Sequence, residues 1–153
     1  RSDEMGSAVH AASLERPVRL MIALEMIGYY DSAPGSQDYP YPAMSWLYPD
    51  RGDFIAVVGR MQDINAVRQV KAALLSSRDL SVYSMNAPGF IPGIDFSDHL
   101  NYWQHDIPAV MITDTAFYRN KQYHLPGDTA DRLNYQKMAQ VVDGVITLLY
   151  NSK

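Results

Sequence analysis

The sequence predicts an α/β fold, a layered, mostly parallel or mixed sheet flanked by helices, and three observations lead there. Short, continuous apolar runs recur at 18–30, 54–59 and 109–113, as in strands covered on both faces. Helical spacing of apolar residues marks 63–76 and 134–150. No repeat period is visible, so strands alternate with helices in one layered unit.

A helix over 3–15 is expected, with Ser2 and Asp3 as caps, a weak stripe from Ala8, Ala11, Ala12 and Leu14, and Pro17 closing it. The run at 18–30 is the first strand. Residues 31–53 are crowded with Pro, Gly, Ser and Tyr, long for a loop in a compact domain, and such loops tend to carry function. Phe54–Gly59 is the second strand. The helix over 63–76 places Ile64, Val67, Val70, Leu74 and Leu75 inward. Residues 81–85 alternate as a short strand, 88–94 form a Gly/Pro loop, and Ser97 caps a short helix through Gln104. The strand at 109–113 ends in Asp114 and Thr115. The closing helix turns Met138, Val141, Val142, Val145, Leu148 and Leu149 to the core.

With 153 residues the chain is one domain's length. Its apolar fraction of 47% and charged fraction of 20% are those of a globular protein rather than a disordered one. A net charge of −4 with no Lys/Arg run argues against a nucleic-acid or anionic-membrane partner. No apolar stretch is long enough to span a bilayer, since 18–27 is short and carries Arg19 and Glu25. The absence of cysteine removes disulfide scaffolds, thiolate metal sites and cysteine nucleophiles, and leaves the compartment open. Any metal must be held by His, Asp and Glu.

Ligands of open α/β sheets bind beyond the C-terminal ends of strands, which gives weight to three polar clusters. Glu25 lies inside an apolar strand, where a carboxylate is costly unless paired or metal-bound, and a structural ion pair is the alternative. Asp95-Phe96-Ser97-Asp98-His99 sets carboxylates beside an imidazole, an arrangement for proton relay or for orienting metal ligands. Helix capping also accounts for Ser97 and Asp98 but gives His99 no role. The third cluster runs from Asp114 through Tyr118, Arg119 and Asn120 to Tyr123, His124 and Asp128, where an imidazole with a carboxylate four residues on is a metal-ligand pattern or a solvated loop. Arg51-Gly52-Asp53 reads as a turn before a strand and Tyr39-Pro40-Tyr41-Pro42 as a rigid rim. His10 and His105 read as structural.

In this order, Leu-Glu-Met-Ile-Gly-Tyr on a strand, Asp-Phe-Ser-Asp-His before a helix, Ile-Pro-Ala-Val-Met-Ile-Thr-Asp-Thr, then Tyr-Arg-Asn and Tyr-His with Asp-Thr, the clusters form a pattern. It resembles the C-terminal part of the co-catalytic zinc exopeptidases of the leucyl-aminopeptidase and glutamate-carboxypeptidase type, a group that also holds glutaminyl cyclases. The resemblance runs from Met5 to the end. It implies that residues 1–153 are the C-terminal part of one peptidase catalytic domain and that the intact enzyme holds two zinc ions. Glu25 and His124 fall on family metal ligands, each belonging to a different zinc. Asp98, His99, Tyr118, Arg119, Tyr123 and Asp128 fall on positions that contact substrate or orient the ligands. The resemblance further implies hydrolysis of terminal peptide bonds by a metal-activated water.

The pattern also departs from the family. No His-x-Asp precedes Glu25 and no Glu-Glu pair occurs, so the general-base glutamate and three metal ligands are absent and the chain by itself is expected to be inactive. A start at Arg1 fits a piece of a longer protein, and an unpaired sheet edge would then invite oligomers or strand exchange. A non-catalytic binding module on the same scaffold and a single-zinc cyclase-like acyltransferase are the other readings.

Overall fold

The apolar runs form four strands, Met21–Glu25 (β1), Ile55–Gly59 (β2), Val82–Asn86 (β3) and Ala109–Thr113 (β4), in a computed structural model that describes residues 4–151. The sheet order is β1-β4-β2-β3. β1 runs parallel to β4 and β2 parallel to β3, while β2 and β4 meet antiparallel, so the sheet is mixed. The two central strands, β2 and β4, are buried at every residue, which is why their sequences are apolar without alternation.

Each face of the sheet carries its own core. On one face lie the helices Ile64–Leu74 (α2) and Tyr135–Asn151 (α4), closing over Ile55, Val57, Val110 and Ile112. On the other lie the helices Gly6–Ala12 (α1) and His99–Trp103 (α3), over Phe54, Ala56, Val58 and Met111. α2 and α4 touch at Gly144, where an added Cβ would come within 2.9 Å of the Leu74 Cα. A helix bearing any larger residue there would have to move away.

Several boundaries differ from the sequence expectation. The proposed caps Ser2 and Asp3 lie outside the described residues, and α1 begins only at Gly6. β1 stops at Glu25 because Met26 turns to φ 53°, outside the strand region. α3 is five residues long, and Ser97 does not cap it. The 31–53 loop folds a short 3-10 turn, Pro42–Trp46, and is tied to itself by a bridge between Asp31 and Gly52. The turn 51–53 is structural throughout. Arg51 donates to the Ser32 carbonyl, Gly52 is buried against Arg119, and Asp53 pairs with Lys137.

Two residues expected inside α2, Ile64 and Leu75, are exposed, as are two expected inside α4, Val142 (44%) and Leu149 (62%). The reason for α4 is positional. Gly144 packs on Leu74 of α2 and the Gln140 carbonyl accepts the Ser77 hydroxyl just past it, so Val142, Ile146 and Leu149, three and four residues apart, occupy a different flank. Ile22 of β1, with Leu20 and Ile27 beside it, packs against the same core as α4, and β1 pairs with β4 alone among the described strands.

Candidate active site

β1 and β4 run side by side and end together, with Glu25 opposite Thr113. Both chains then turn sharply through left-handed backbone at non-glycine residues: Met26 (φ 53°), Thr115 (φ 76°) and Ala116 (φ 49°). Each such conformation costs roughly 1–3 kcal/mol, persists only where its surroundings enforce it, and tends to cluster at functional sites. The turns are tied to one another, since the Asp114 N–H donates to the Met26 carbonyl at 2.6 Å.

Beside these strand ends a cavity of about 520 Å³ opens between the α1/α3 face of the sheet and the loops above it. Phe54, Tyr83, Met85 and Met111 form its sheet side, and Met44 and Tyr48 come from the 31–53 loop. The Tyr48 hydroxyl donates to the Ser84 carbonyl and the Tyr39 hydroxyl to the Pro49 carbonyl, so these rings offer the cavity carbon rather than free hydroxyls. Burial pushes both phenols above their ordinary range, and they stay neutral. Among the described residues, the charged ones at the cavity are Glu25, Asp38, Asp95 and Asp98, and no Lys, Arg or His lines it.

Of the residues singled out from sequence, the cavity gathers Glu25, Asp98, Tyr118 and Tyr123. Glu25 is half-buried and accepts the Ser97 hydroxyl at 2.8 Å, so Ser97 supports this carboxylate instead of capping α3. Asp98 accepts the Ser7 hydroxyl at 2.6 Å, and Ser7 in turn accepts the Asn101 amide at 2.7 Å, which docks α1. His124 is exposed one residue past the rim, at φ 59°, its ring stacked on Tyr123 with centroids 3.9 Å apart. The remaining three lie away from the cavity wall. Arg119 is 3% exposed, and its guanidinium donates to Gln37 Oε1 and to the carbonyls of Tyr29 and Phe54. Asp128 accepts the Asn120 amide at 2.8 Å and so braces the 120–132 loop.

His99 is fully buried against Trp103, and its Nε2–H donates to the Ile94 carbonyl at 2.6 Å. That bond fixes the tautomer, leaves Nδ1 without a partner, and anchors the loop that carries Asp95 and Ser97. Burial pushes the imidazole below its ordinary value, against an upward pull from the Ile94 carbonyl and from Asp95, Asp98 and Glu25. The unfolded chain then binds a proton that the folded chain refuses. Stability is full above about pH 6.5 and is lost as the pH falls below it. In the full-length protein, His99→Gln should remove up to about 1.4 kcal/mol per pH unit of that slope. Denaturant titrations between about pH 7 and pH 5 measure it. The difference between the two proteins separates the imidazole from Asp114, whose buried carboxyl is pushed up and acts with the opposite sign.

Sequence reasoning gave no role to Asp114, Asn120 or Gln37, all of them buried. For Asp114 the signal was present, a carboxylate directly after a buried apolar run. Gln37 carries none, because its partners Thr115 and Arg119 lie 78 and 82 residues away.

Residues 5–149 match Peptidase family M28. The chain belongs to that family. It is 96% identical, over its whole length, to the "Uncharacterized protein YfbL" of Escherichia coli (strain K12), and it spans 47% of that protein. The M28 chain also superimposes on the Legionella pneumophila LapA aminopeptidase with a TM-score of 0.66 at 20% identity, covering 94% of this chain and 34% of that one. BSAP, a zinc aminopeptidase from Bacillus subtilis, matches with a TM-score of 0.63 at 17% identity, over 97% of this chain and 32% of BSAP. At these identities the likeness is one of fold, and it places the mixed sheet and its helices within the aminopeptidase architecture. A carboxylate and an imidazole, Glu25 and His124, are suitable zinc donors, but zinc takes at least three protein groups. Among the described residues no three His, Asp, Glu or Cys side chains come together. No helix of the described residues is long and apolar enough to cross a membrane.

Proposed function

We propose that this chain supplies the substrate side of a zinc-dependent exopeptidase acting on the amino end of peptides. The observation that carries the proposal is the cavity beside Glu25, with aromatic and methionine walls, carboxylates and no basic residue. Among the described residues no basic side chain lines it to receive a peptide's free carboxylate or an acidic side chain, and Lys121 beside it is taken up by Asp38. An ammonium group is favoured by the carboxylates, and a large apolar side chain by the walls.

Glu25 and His124 are this chain's share of the metal ligands in that reading. The missing ligands and the general base belong to the part of the longer protein that the chain does not span. Glu25 stands at the end of an edge strand, so groups from a neighbouring strand would lie next to it. The open edge of β1 and the Val142, Ile146 and Leu149 flank of α4 form the surface on which that part packs; in its absence the same surface favours self-association. When bound in such a site, zinc lowers the pKa of a water and polarises a carbonyl. Without the rest of the protein, this chain is silent.

The test uses the full-length protein and short peptides starting with Met, Leu or Phe. Hydrolysis that survives amidation of the carboxyl end and is abolished by acetylation of the amino end is the expected result. Equal cleavage of acetylated peptides, or cyclisation of an amino-terminal glutamine in place of hydrolysis, contradicts the proposal.

A further inference from the structure

We propose that Asp114 is a positioning residue whose carboxylate brackets the two turns flanking the cavity, and so sets Glu25 against the segment that leads to Tyr118, Tyr123 and His124. The consequence for catalysis rests on the peptidase reading above; the bracket itself does not.

The parallel ladder between β1 and β4 ends at Glu25 and Thr113. Beyond that point a side chain takes over from the backbone. Asp114 is 1% exposed. Its Oδ2 accepts the N–H groups of Gly28 (3.1 Å) and Tyr29 (2.8 Å), on the chain leaving β1. Its Oδ1 accepts the N–H of Ala116 (3.0 Å), on the chain leaving β4. Its own N–H reaches back to the Met26 carbonyl at 2.6 Å. One residue thus bonds into both strained turns, and both of its oxygens are used. Arg119 closes the arrangement by donating to the Tyr29 carbonyl at 3.0 Å, so the backbone of Tyr29 is held at its N–H and its C=O. The three left-handed residues, Met26, Thr115 and Ala116, all lie within two residues of these contacts. Strained backbone is retained where it is over-determined, and here the over-determining group is one carboxylate.

A carboxylate is required because every partner on its side chain is an N–H. Asparagine has the same shape but a single acceptor oxygen, and its amide nitrogen would point at a donor. Asp114→Asn therefore opens the bracket with little change in volume.

The experiment uses the full-length protein and reads two quantities. In hydrogen exchange, Asp114→Asn should lower protection of amides in both 26–30 and 115–123 by about tenfold or more, while α2 and α4 keep theirs. In kinetics, kcat should fall by roughly 10–100-fold, as on loss of an outer partner of a site residue, with KM within about threefold. Tyr83, Met85 and Met111, on the sheet side of the cavity, take no part in the bracket's hydrogen bonds, so KM should hold. Unchanged protection, loosening of only one of the two segments, or an unchanged kcat overturns the inference.

Thr113→Val serves as the second variant and decides the matter if Asp114→Asn fails to fold. The Thr113 hydroxyl accepts the Thr115 N–H at 3.0 Å, supporting one turn only. Loosening confined to 115–123 is expected, and equal loosening of 26–30 overturns the bracket. If the unsubstituted full-length protein hydrolyses no peptide, the peptidase reading fails, and the exchange measurement still decides the role of Asp114.

Discussion

Glu25→Gln in the full-length protein is expected to lower peptide hydrolysis by more than about 100-fold, beyond what loss of an outer-sphere partner costs. The fold should survive. The carboxylate is half-buried at the end of an edge strand, and the hydrogen bond it accepts is from the Ser97 hydroxyl, which the glutamine carbonyl also accepts. The stability change is therefore on the order of 1 kcal/mol or less, read by thermal unfolding alongside activity. His124→Asn is the companion variant. Asparagine tolerates the left-handed backbone at φ 59°, whereas alanine would add strain to the loss of the imidazole. A comparable fall in activity without a fall in Tm assigns both side chains to the chemistry. Near-normal rates in both would remove them from it.

The second large effect is on stability. Arg119→Met should destabilise the full-length protein by roughly 2–5 kcal/mol, because two carbonyls lose their donor at about 1–3 kcal/mol each, while Gln37 Oε1 keeps the Thr115 hydroxyl. The guanidinium's acceptors are Gln37 Oε1 and the carbonyls of Tyr29 and Phe54, drawn from the cavity-rim loop, the chain after β1 and the start of β2. The guanidinium also lies over the Phe54 ring at 4.6 Å, and Gly52 is packed so closely that an added Cβ would come within 2.5 Å of its Nε. Arg119→Lys keeps the charge but not the fork, and recovers only part of the loss. Tm measurements on the three proteins give the order Arg, Lys, Met; equal Tm values would show that the clamp contributes nothing.

The sequence showed most clearly what local pattern dictates. β2 and β4 are legible because strands buried on both faces must be apolar at every position. The core-facing positions of α2 and α4 are legible from their period, apart from the outward Ile64, Leu75, Val142 and Leu149. Those four are apolar without being core, because an apolar side chain at helical spacing need not be buried. The antiparallel meeting of β2 with β4 was not legible, since strand order is a tertiary property that no local spacing encodes.

At the site, the acid on a strand and the paired aromatic positions stood out by residue type. The supports did not. Arg119 reads as a substrate-side loop residue in sequence and is a buried clamp in space, because its partner Phe54 is 65 residues away. Asp128 sits four residues after His124 and is taken up by Asn120. His99 has no role under helix capping and acquires one through Ile94, five residues before it, in a loop whose path the sequence does not specify.

The most direct test of the account is the metal-edge anomalous diffraction of crystals of the full-length protein grown with zinc. Two zinc peaks are expected at the mouth of the cavity, one within bonding distance of the Glu25 carboxylate and the other of the His124 imidazole, with the remaining donors coming from outside residues 1–153. Zinc bound elsewhere, with both of these side chains out of reach of it, would contradict the account.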